Sequence, residues 1–375
     1  MKSLYDIPTP AVVIDEPRLA ANVARMQAMA SAAGLRLRPH AKTHKSPVLA
    51  ARQMAAGAVG VCCAKLGEAE VFADAGIADI RVPFPVQPAY ADRVVALLDR
   101  TALSIVVDHP GVAREWSAAM QRAGRRLPVL VKVDVGLHRC GVDPATPAAM
   151  ELLSLVASLP NLELRGILSH AGHAYGATSE SEIESIAAGE AATMTGLAAE
   201  ARRAGVTLEE ISVGSTPTAR FSVRQPGLTE VRPGNYIFCD RSQVGLGSAT
   251  PADCALTVVA TVVSKPARDR IVLDSGSKTL SSDPARGFTP PQGHGAVFTG
   301  FDATAFDETL LVASLSEEHA VVRVLNGETR LEPGDRVRLL PNHACVVTNL
   351  VDTLVVADGE RVVDRLPVAA RGRIQ

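Results

Sequence analysis

The chain contains 375 residues, of which 47% are hydrophobic and 21% charged, with 38 lysines and arginines against 40 aspartates and glutamates. This length predicts more than one domain, although a barrel alone can occupy about 250 residues. The balanced charge and the few aromatic residues argue against nucleic-acid binding. We find no apolar run of about 18 residues and no apolar segment near the amino terminus, so we expect neither a membrane span nor a signal peptide.

The cysteines are scattered and none of them forms a CxxC pair. In a large chain without a secretion signal, such cysteines are expected to be free thiols or single metal ligands, and the expected compartment is the cytoplasm. They are Cys62, Cys63, Cys140, Cys239, Cys254 and Cys345.

Short runs rich in valine, isoleucine and leucine alternate with alanine-rich amphipathic stretches over the first 240 residues. The predicted strands are Leu35–His40, Val59–Ala64, Ile80–Phe84, Leu103–Asp108, Val129–Asp134, Leu164–His170, Ile211–Gly214 and Val231–Phe238. The predicted helices include Pro47–Ala56, Gly67–Ala75, Ala89–Asp99, Val112–Ala123, Pro147–Ser158 and Ser181–Ala204. Eight such units predict an α/β fold with a (β/α)8 TIM barrel, and an open doubly wound sheet is the alternative.

The pattern changes after Asp240, where short β-rich runs are separated by turn residues such as those of Asn326-Gly327. These runs predict a second, mostly antiparallel β domain. The predicted strands are Leu256–Ser264, Arg270–Leu273, Ala320–Val324, Arg336–Leu340, Cys345–Asn349 and Thr353–Ala357. We therefore expect a barrel over residues 11–242. We expect the β domain to comprise residues 243–375 together with residues 1–10.

A basic segment, Arg-Pro-His-Ala-Lys-Thr-His-Lys, ends the first predicted strand at residues 38–45. Strand alternation places Arg38, His40 and Lys42 on one side. Neighbouring cations disfavour the charged form of a lysine, which lowers its pKa as an imine-forming amine requires. A solvated basic turn is the alternative.

Small residues follow the seventh predicted strand, at Gly214, Ser215 and Thr216. Backbone N–H groups and hydroxyls of this kind can hold an anion, and phosphate sites of barrels favour the loops after strands 7 and 8. An amine after strand 1 and a phosphate site after strands 7 and 8 together suggest pyridoxal phosphate held as a Schiff base.

Several segments in order carry a resemblance that covers nearly the whole chain. They are residues 38–45, Gly60–Lys65, Val133–Val142, Ser212–Thr218 and Leu340–Cys345. The chain resembles the D-threonine aldolase and D-serine dehydratase family, whose members share the barrel and β domain of alanine racemase.

The resemblance implies a role for each matching residue. Lys42, with His40 beside it, would be the Schiff-base lysine, Arg139 would contact the phenolic oxygen region of the cofactor, and His170 would pack on the pyridine ring. Tyr175 would approach the ring nitrogen. The phosphate would be held by Gly214, Ser215, Thr216 and Tyr236. From the residues alone, His170 and His173 could equally be strand-end histidines without a role.

His343 and Cys345 form the candidate metal pair. Residues i and i+2 of a strand project from one face, and imidazole with thiolate favours zinc or a similar divalent ion. A lone HxC pair is a weak signal, but the resemblance implies a metal, zinc or manganese, at this position.

The resemblance implies a lyase that depends on pyridoxal phosphate and a divalent metal and acts on small D-β-hydroxy-amino acids. We expect a D-threonine aldolase that forms glycine and an aldehyde. The alternative is a D-serine or D-threo-3-hydroxyaspartate dehydratase, which forms a 2-oxo acid and ammonia. Cys345 favours the dehydratase, because aldolases of the group usually carry aspartate there.

Two further classes fit the sequence less well. A two-base alanine racemase uses a tyrosine of its β domain, and this chain has no tyrosine beyond Tyr236. Non-catalytic pyridoxal phosphate-binding proteins end after the barrel. We expect a homodimer, and no nucleic-acid or membrane partner.

Overall fold

The chain forms two sheets, one parallel and one mostly antiparallel. The computed structural model describes residues 2–375. The strands are β1 (Ala11–Asp15), β2 (Arg36–Leu37), β3 (Val61–Cys62), β4 (Asp79–Pro85), β5 (Ala102–Val107), β6 (Leu127–Lys132), β7 (Leu162–Leu168), β8 (Glu210–Val213), β9 (Glu230–Val231), β10 (Leu256–Ala267), β11 (Arg270–Leu273), β12 (Ala296–Phe298), β13 (Phe306–Leu315), β14 (Ala320–Val324), β15 (Arg336–Leu340), β16 (Thr353–Asp358) and β17 (Arg361–Pro367). The helices are α1 (Glu16–Ala32), α2 (Pro47–Ala55), α3 (Leu66–Asp74), α4 (Ala91–Leu98), α5 (Pro110–Ala123), α6 (Pro147–Ser158), α7 (Glu180–Arg203), α8 (Thr216–Ser222), α9 (Arg241–Gly245), α10 (Ser277–Leu280) and α11 (Ala344–Leu350).

Strands β2 to β9 form the barrel, in the order β2-β9-β8-β7-β6-β5-β4-β3, and all their pairings are parallel. A parallel bridge between His40 and Cys62 joins the first strand to β3 and closes the ring. The strands are buried on both faces because helices cover them outside, as the continuous apolar run from Ile105 to Val107 requires. The predicted (β/α)8 barrel is confirmed.

A buried ionic network fills part of the barrel interior. The Arg81 guanidinium donates to Glu230 at 2.5 Å and to Glu210 at 2.7 Å, and Arg38 Nε donates to Glu230 at 2.9 Å. Burial raises the pKa of Glu230, but the charges of Arg81 and Arg38 outweigh burial and bring it to about 2. These ion pairs support the end of the barrel where β8 and β9 begin.

The second sheet contains a closed antiparallel barrel of six strands, in the order β10-β11-β14-β13-β12-β15 and back to β10. Strand β1 pairs antiparallel with β10 and parallel with β16, so it belongs to this sheet. The expected boundary at residue 11 therefore differs from the structure, where the parallel barrel follows β1. The sequence did not predict this strand, because its apolar run is short and its pairing partners lie more than 240 residues away.

The segment predicted as strand Cys345–Asn349 is instead helix α11. Its valines favour a strand locally, but the Asp240 carboxylate accepts the backbone N–H of Ala344 at 2.9 Å and stabilises the first turn of the helix. Helix α11 packs against the loop that follows β2, which brings the second domain over the open end of the barrel. Among residues 2–375, no helix is long and apolar enough to span a bilayer.

Candidate active site

The carboxyl ends of the barrel strands and α11 enclose a cavity of about 410 Å³. This is the end of a parallel barrel where catalytic groups normally lie. The cavity collects most of the predicted site residues. Those that line it are His40, Lys42, Arg139, His170, Tyr175, Ser215, Thr216, His343 and Cys345.

Lys42 lies on one turn of 3-10 helix, Ala41–Thr43, directly after β2. The ring of His40 caps this turn and accepts the Lys42 N–H at 3.4 Å. Burial and the charge of Lys42 hold the pKa values of His40 and His170 well below the usual range. Both histidines are therefore uncharged at neutral pH beside the lysine amine.

The loop after β8 presents an unpartnered polar atom to the cavity. Ser215 Oγ is buried and has no hydrogen-bond partner in the described chain. A side chain at Gly214 would meet Cβ of Arg232 at 2.9 Å, and one at Gly234 would meet Oγ1 of Thr43 at 2.9 Å. Glycine is therefore required at both positions, because a Cβ would collide with neighbouring residues. The unpartnered hydroxyl of Ser215 suits a phosphate oxygen.

Three of the predicted site residues have hydrogen-bond partners within the protein. Tyr236 is absent from the cavity lining, because its hydroxyl turns towards α2 and accepts from Gln53 Nε2 at 2.8 Å. Gly214 lies behind the lining, where its carbonyl accepts from His170 Nδ1. The Tyr175 hydroxyl accepts from Gln243 at 3.1 Å, on the side of the cavity near Cys345.

His343 and Cys345 face each other across the start of α11. Burial lowers the pKa of His343, but the Cys345 sulfur, Asp240 and Asp283 raise it to about 10. Burial raises the pKa of the Cys345 thiol, but His343 and Lys42 lower it to below its ordinary value. A lowered thiol pKa favours the thiolate, which is the metal-binding form, and a bound metal would displace the proton that the His343 ring carries.

The donor set fits a borderline-to-soft divalent ion. His343 Nδ1 lies 2.7 Å from Asp283 Oδ2, so an Nδ1–H that donates to Asp283 leaves Nε2 as the ligand atom. Within residues 2–375, no cluster of three or more histidine, cysteine, aspartate or glutamate side chains is placed to hold a metal. Water or substrate would therefore complete the coordination of a catalytic ion.

The sequence prediction missed several polar residues of the cavity. Asp240 is fully buried and accepts from Asn235, Gln243 and Ala344, which ties the loop after β9 to α11. Asp283 comes from the loop between α10 and β12, which is rich in glycine and proline. Strand alternation at the end of β6 could have identified Lys132, but Asp240 and Asp283 carry no local signal.

Lys132 and Arg232 add buried positive charge to the cavity, and exposed Arg139 lies at its edge. The Lys132 amine has no hydrogen bond or ion pair to any residue from 2 to 375, and burial together with Arg232 lowers its pKa to about 7. Arg232 donates through Nε to Ser212 at 2.7 Å. These cations suit a ligand with several negative charges, such as a phosphate and a carboxylate, so the residues present fit pyridoxal phosphate.

Comparisons with known proteins cover both domains. The family model of the alanine racemase N-terminal domain matches residues 14–242, and that of a serine dehydratase domain matches residues 255–357. A D-threonine aldolase from Arthrobacter sp. is 34% identical over 98% of this chain and 94% of its own length. A D-threo-3-hydroxyaspartate dehydratase from Delftia sp. (strain HT23) is 34% identical over 92% of each chain.

A solved structure extends the likeness to three dimensions. It is a cysteine-to-alanine mutant of a D-threo-3-hydroxyaspartate dehydratase in the metal-free form, with a TM-score of 0.90 and 32% identity over 98% of this chain and 99% of its own. With both domains matched and their order preserved, this chain belongs to the D-threonine aldolase and D-serine dehydratase family of alanine racemase-like enzymes that use pyridoxal phosphate.

Proposed function

We propose that this chain is a lyase for D-β-hydroxy-amino acids that uses pyridoxal phosphate and a divalent metal, and that it acts as a D-threonine aldolase. The observation that carries the proposal is the meeting of Lys42, from the barrel, with the His343 and Cys345 pair, from the second domain, in one cavity. An imine-forming amine beside a metal pair suits a substrate that carries an amino group and a neighbouring hydroxyl.

Pyridoxal phosphate, when bound, supplies an electron sink for the bond that breaks at Cα. Lys42 Nζ would hold it as an imine and would move the proton at Cα. Ser215 and Thr216 would hold its phosphate. Arg139 would bind its phenolic oxygen region, and the uncharged ring of His170 would pack against it without adding charge.

His343 Nε2 and Cys345 Sγ would hold zinc or manganese, which supplies a Lewis acid for the substrate's β-hydroxyl. Asp283 orients the His343 ring by accepting from Nδ1. The known metal-free form of the dehydratase mutant supports a metal in this family. In the retro-aldol direction, a base takes the proton of the β-hydroxyl, the Cα–Cβ bond breaks to release the aldehyde, and Cα gains a proton to yield glycine.

Product analysis tests this proposal. We expect the purified protein to convert D-threonine to glycine and acetaldehyde, to lose this activity with a chelator, and to regain it with Zn²⁺ or Mn²⁺. L-threonine serves as the control substrate. Cleavage that continues in metal-free buffer would contradict the metal pair.

A dehydratase is the second candidate, and Cys345 is the observation that favours it. Its products from D-threonine would be 2-oxobutanoate and ammonia, so the same assay separates the two reactions. The Cys345→Asp variant should shift metal preference towards harder ions such as Mn²⁺. An unchanged metal profile would argue that Cys345 is not a ligand.

We also propose a cytoplasmic homodimer. Free thiols at all six cysteines suit a reducing compartment. Light scattering of the purified holoenzyme measures the oligomeric state, and a monomer would contradict the dimer.

A further inference from the structure

Lys45 is a buried lysine whose amine is engaged away from the cavity. Its Nζ lies 3.1 Å from Glu68 Oε1 and donates to Asn349 Oδ1 at 2.8 Å. The side chains of Lys45 and Glu68 are only 8% and 3% exposed. Lys45 also has a φ of 50°, in a region that side chains other than glycine rarely adopt. The structure therefore holds Lys45 in a backbone conformation that lysine disfavours.

The partner Asn349 lies on α11, one helical turn after Cys345, so the two side chains share a face of the helix. The preceding loop residue Thr43 also contacts this helix. Its Oγ1 lies 3.2 Å from Cys345 Sγ, and its carbonyl accepts from Thr348 Oγ1 at 2.6 Å. The loop that carries Lys42 therefore contacts the helix of the metal pair at three points.

The carboxyl-terminal segment closes over the same junction. The Ala370 N–H donates to the Lys45 carbonyl at 3.0 Å, and the Gly372 N–H donates to Asn349 Oδ1 at 3.2 Å. Asn349 thus receives one hydrogen bond from the lysine loop and one from the end of the chain. Four segments meet here: the Lys42 loop, α3 through Glu68, α11, and residues 368–372.

We infer that Lys45 is a positioning residue, which sets the place of the Cys345 and His343 metal pair relative to Lys42. The inference rests on the proposed function, since it assumes that this pair holds a metal. A buried ion pair adds little net stability compared with apolar residues of similar volume. Lys45 instead fixes the position of α11 relative to α3, because its amine contacts the Glu68 carboxylate on α3 and the Asn349 amide on α11.

The test measures metal binding on the holoenzyme without substrate. The double variant Lys45→Met/Glu68→Gln removes both buried charges together. Asn349→Ala keeps Lys45 and Glu68 but removes the amide of α11 that accepts from Lys45 and from Gly372. We expect the Kd for Zn²⁺, measured by chelator competition, to rise by about 10-fold or more in both variants. The absorbance of the cofactor imine should stay unchanged, because Lys42 remains in place.

Asp352→Ala is the matched control, since it removes an exposed ion pair with Arg371 at the same end of the chain and leaves Asn349 untouched. Its Kd for Zn²⁺ should equal that of the parent. If the double variant does not fold, Asn349→Ala decides the question. A Kd within twofold of the parent in the folded variants overturns the inference, whereas a parent that binds no Zn²⁺ and cleaves no D-threonine overturns the proposed function.

Discussion

Three lysines near the open end of the barrel differ in what their amines contact. Lys42 lines the cavity, whereas Lys45 is bound to Glu68 and Asn349, and Lys65 Nζ lies 3.9 Å from the centre of the Phe84 ring. Of these amines, Lys42 alone is placed to reach a cofactor. The family resemblance also points to Lys42 among the three.

Replacement of the imine lysine should remove the cofactor's imine absorbance. We expect Lys42→Ala to abolish that absorbance and to lower activity by several orders of magnitude, because the covalent bond and the proton transfer at Cα are both lost. Lys65→Met is the control and should keep the spectrum of the parent. An imine that persists in Lys42→Ala would assign the cofactor to another lysine.

The buried Lys132 predicts a pH-dependent gain in stability when its charge is removed. Its native pKa of about 7 lies below the ordinary lysine value of 10.5, so between these values the unfolded chain binds a proton that the native protein does not. Native stability therefore falls as pH decreases from 10.5 towards 7, and the full penalty applies below pH 7.

We expect Lys132→Met to stabilise the cofactor-free protein by about 2–4 kcal/mol at pH 7, with a smaller gain near pH 10. Urea unfolding at both pH values measures the effect. A gain that is the same at both pH values would show that the lysine carries no such penalty.

At the level of strands and helices, the local pattern predicted the parallel barrel well. Most barrel strands are short apolar runs bounded by turns, and neighbours in the sheet are consecutive in the chain except where β2 lies beside β9. Strand β1 and helix α11 were missed because distant residues decide their structure: β1 needs β10 and β16, and α11 needs the Asp240 carboxylate.

The candidate site shows the same limit. Lys42, the Ser215 loop and the HxC pair have local motifs, so sequence could identify them. Asp240, Asp283 and Arg232 are ordinary polar residues in sequence, and only the meeting of strand ends and loops gives them a place in the cavity. The motif that contains Tyr236 also does not reveal that its hydroxyl turns towards Gln53.

The ionic network inside the barrel predicts a large loss of stability when one partner is removed. Arg81→Met should leave Glu210 and Glu230 buried without their shared partner and destabilise the protein by about 3–5 kcal/mol. The control Arg93→Met breaks a partly exposed pair with Glu70 and should cost less than about 1 kcal/mol. Equal urea midpoints for the two variants would contradict the network's importance.

At the scale of the whole molecule, the cavity is lined by both domains, so a ligand bound there connects them. Pyridoxal phosphate should stabilise the cofactor-free protein by about 2.7 kcal/mol at a concentration of 100 times its Kd. Thermal unfolding measures the rise in melting temperature, and pyridoxal without its phosphate should have a smaller effect. No shift at saturating concentration would mean that the cofactor does not bind the folded protein.

The placement of β1 has a consequence for how the protein is made. The strand leaves the ribosome before all the barrel strands, but Ala11 pairs with Val259 and Val13 with Val355. At a synthesis rate of about 5–20 residues per second, β1 waits roughly 10–50 seconds for its first partner. During that time the complete parallel barrel emerges and can fold, so β1 is made before the barrel but is paired after it.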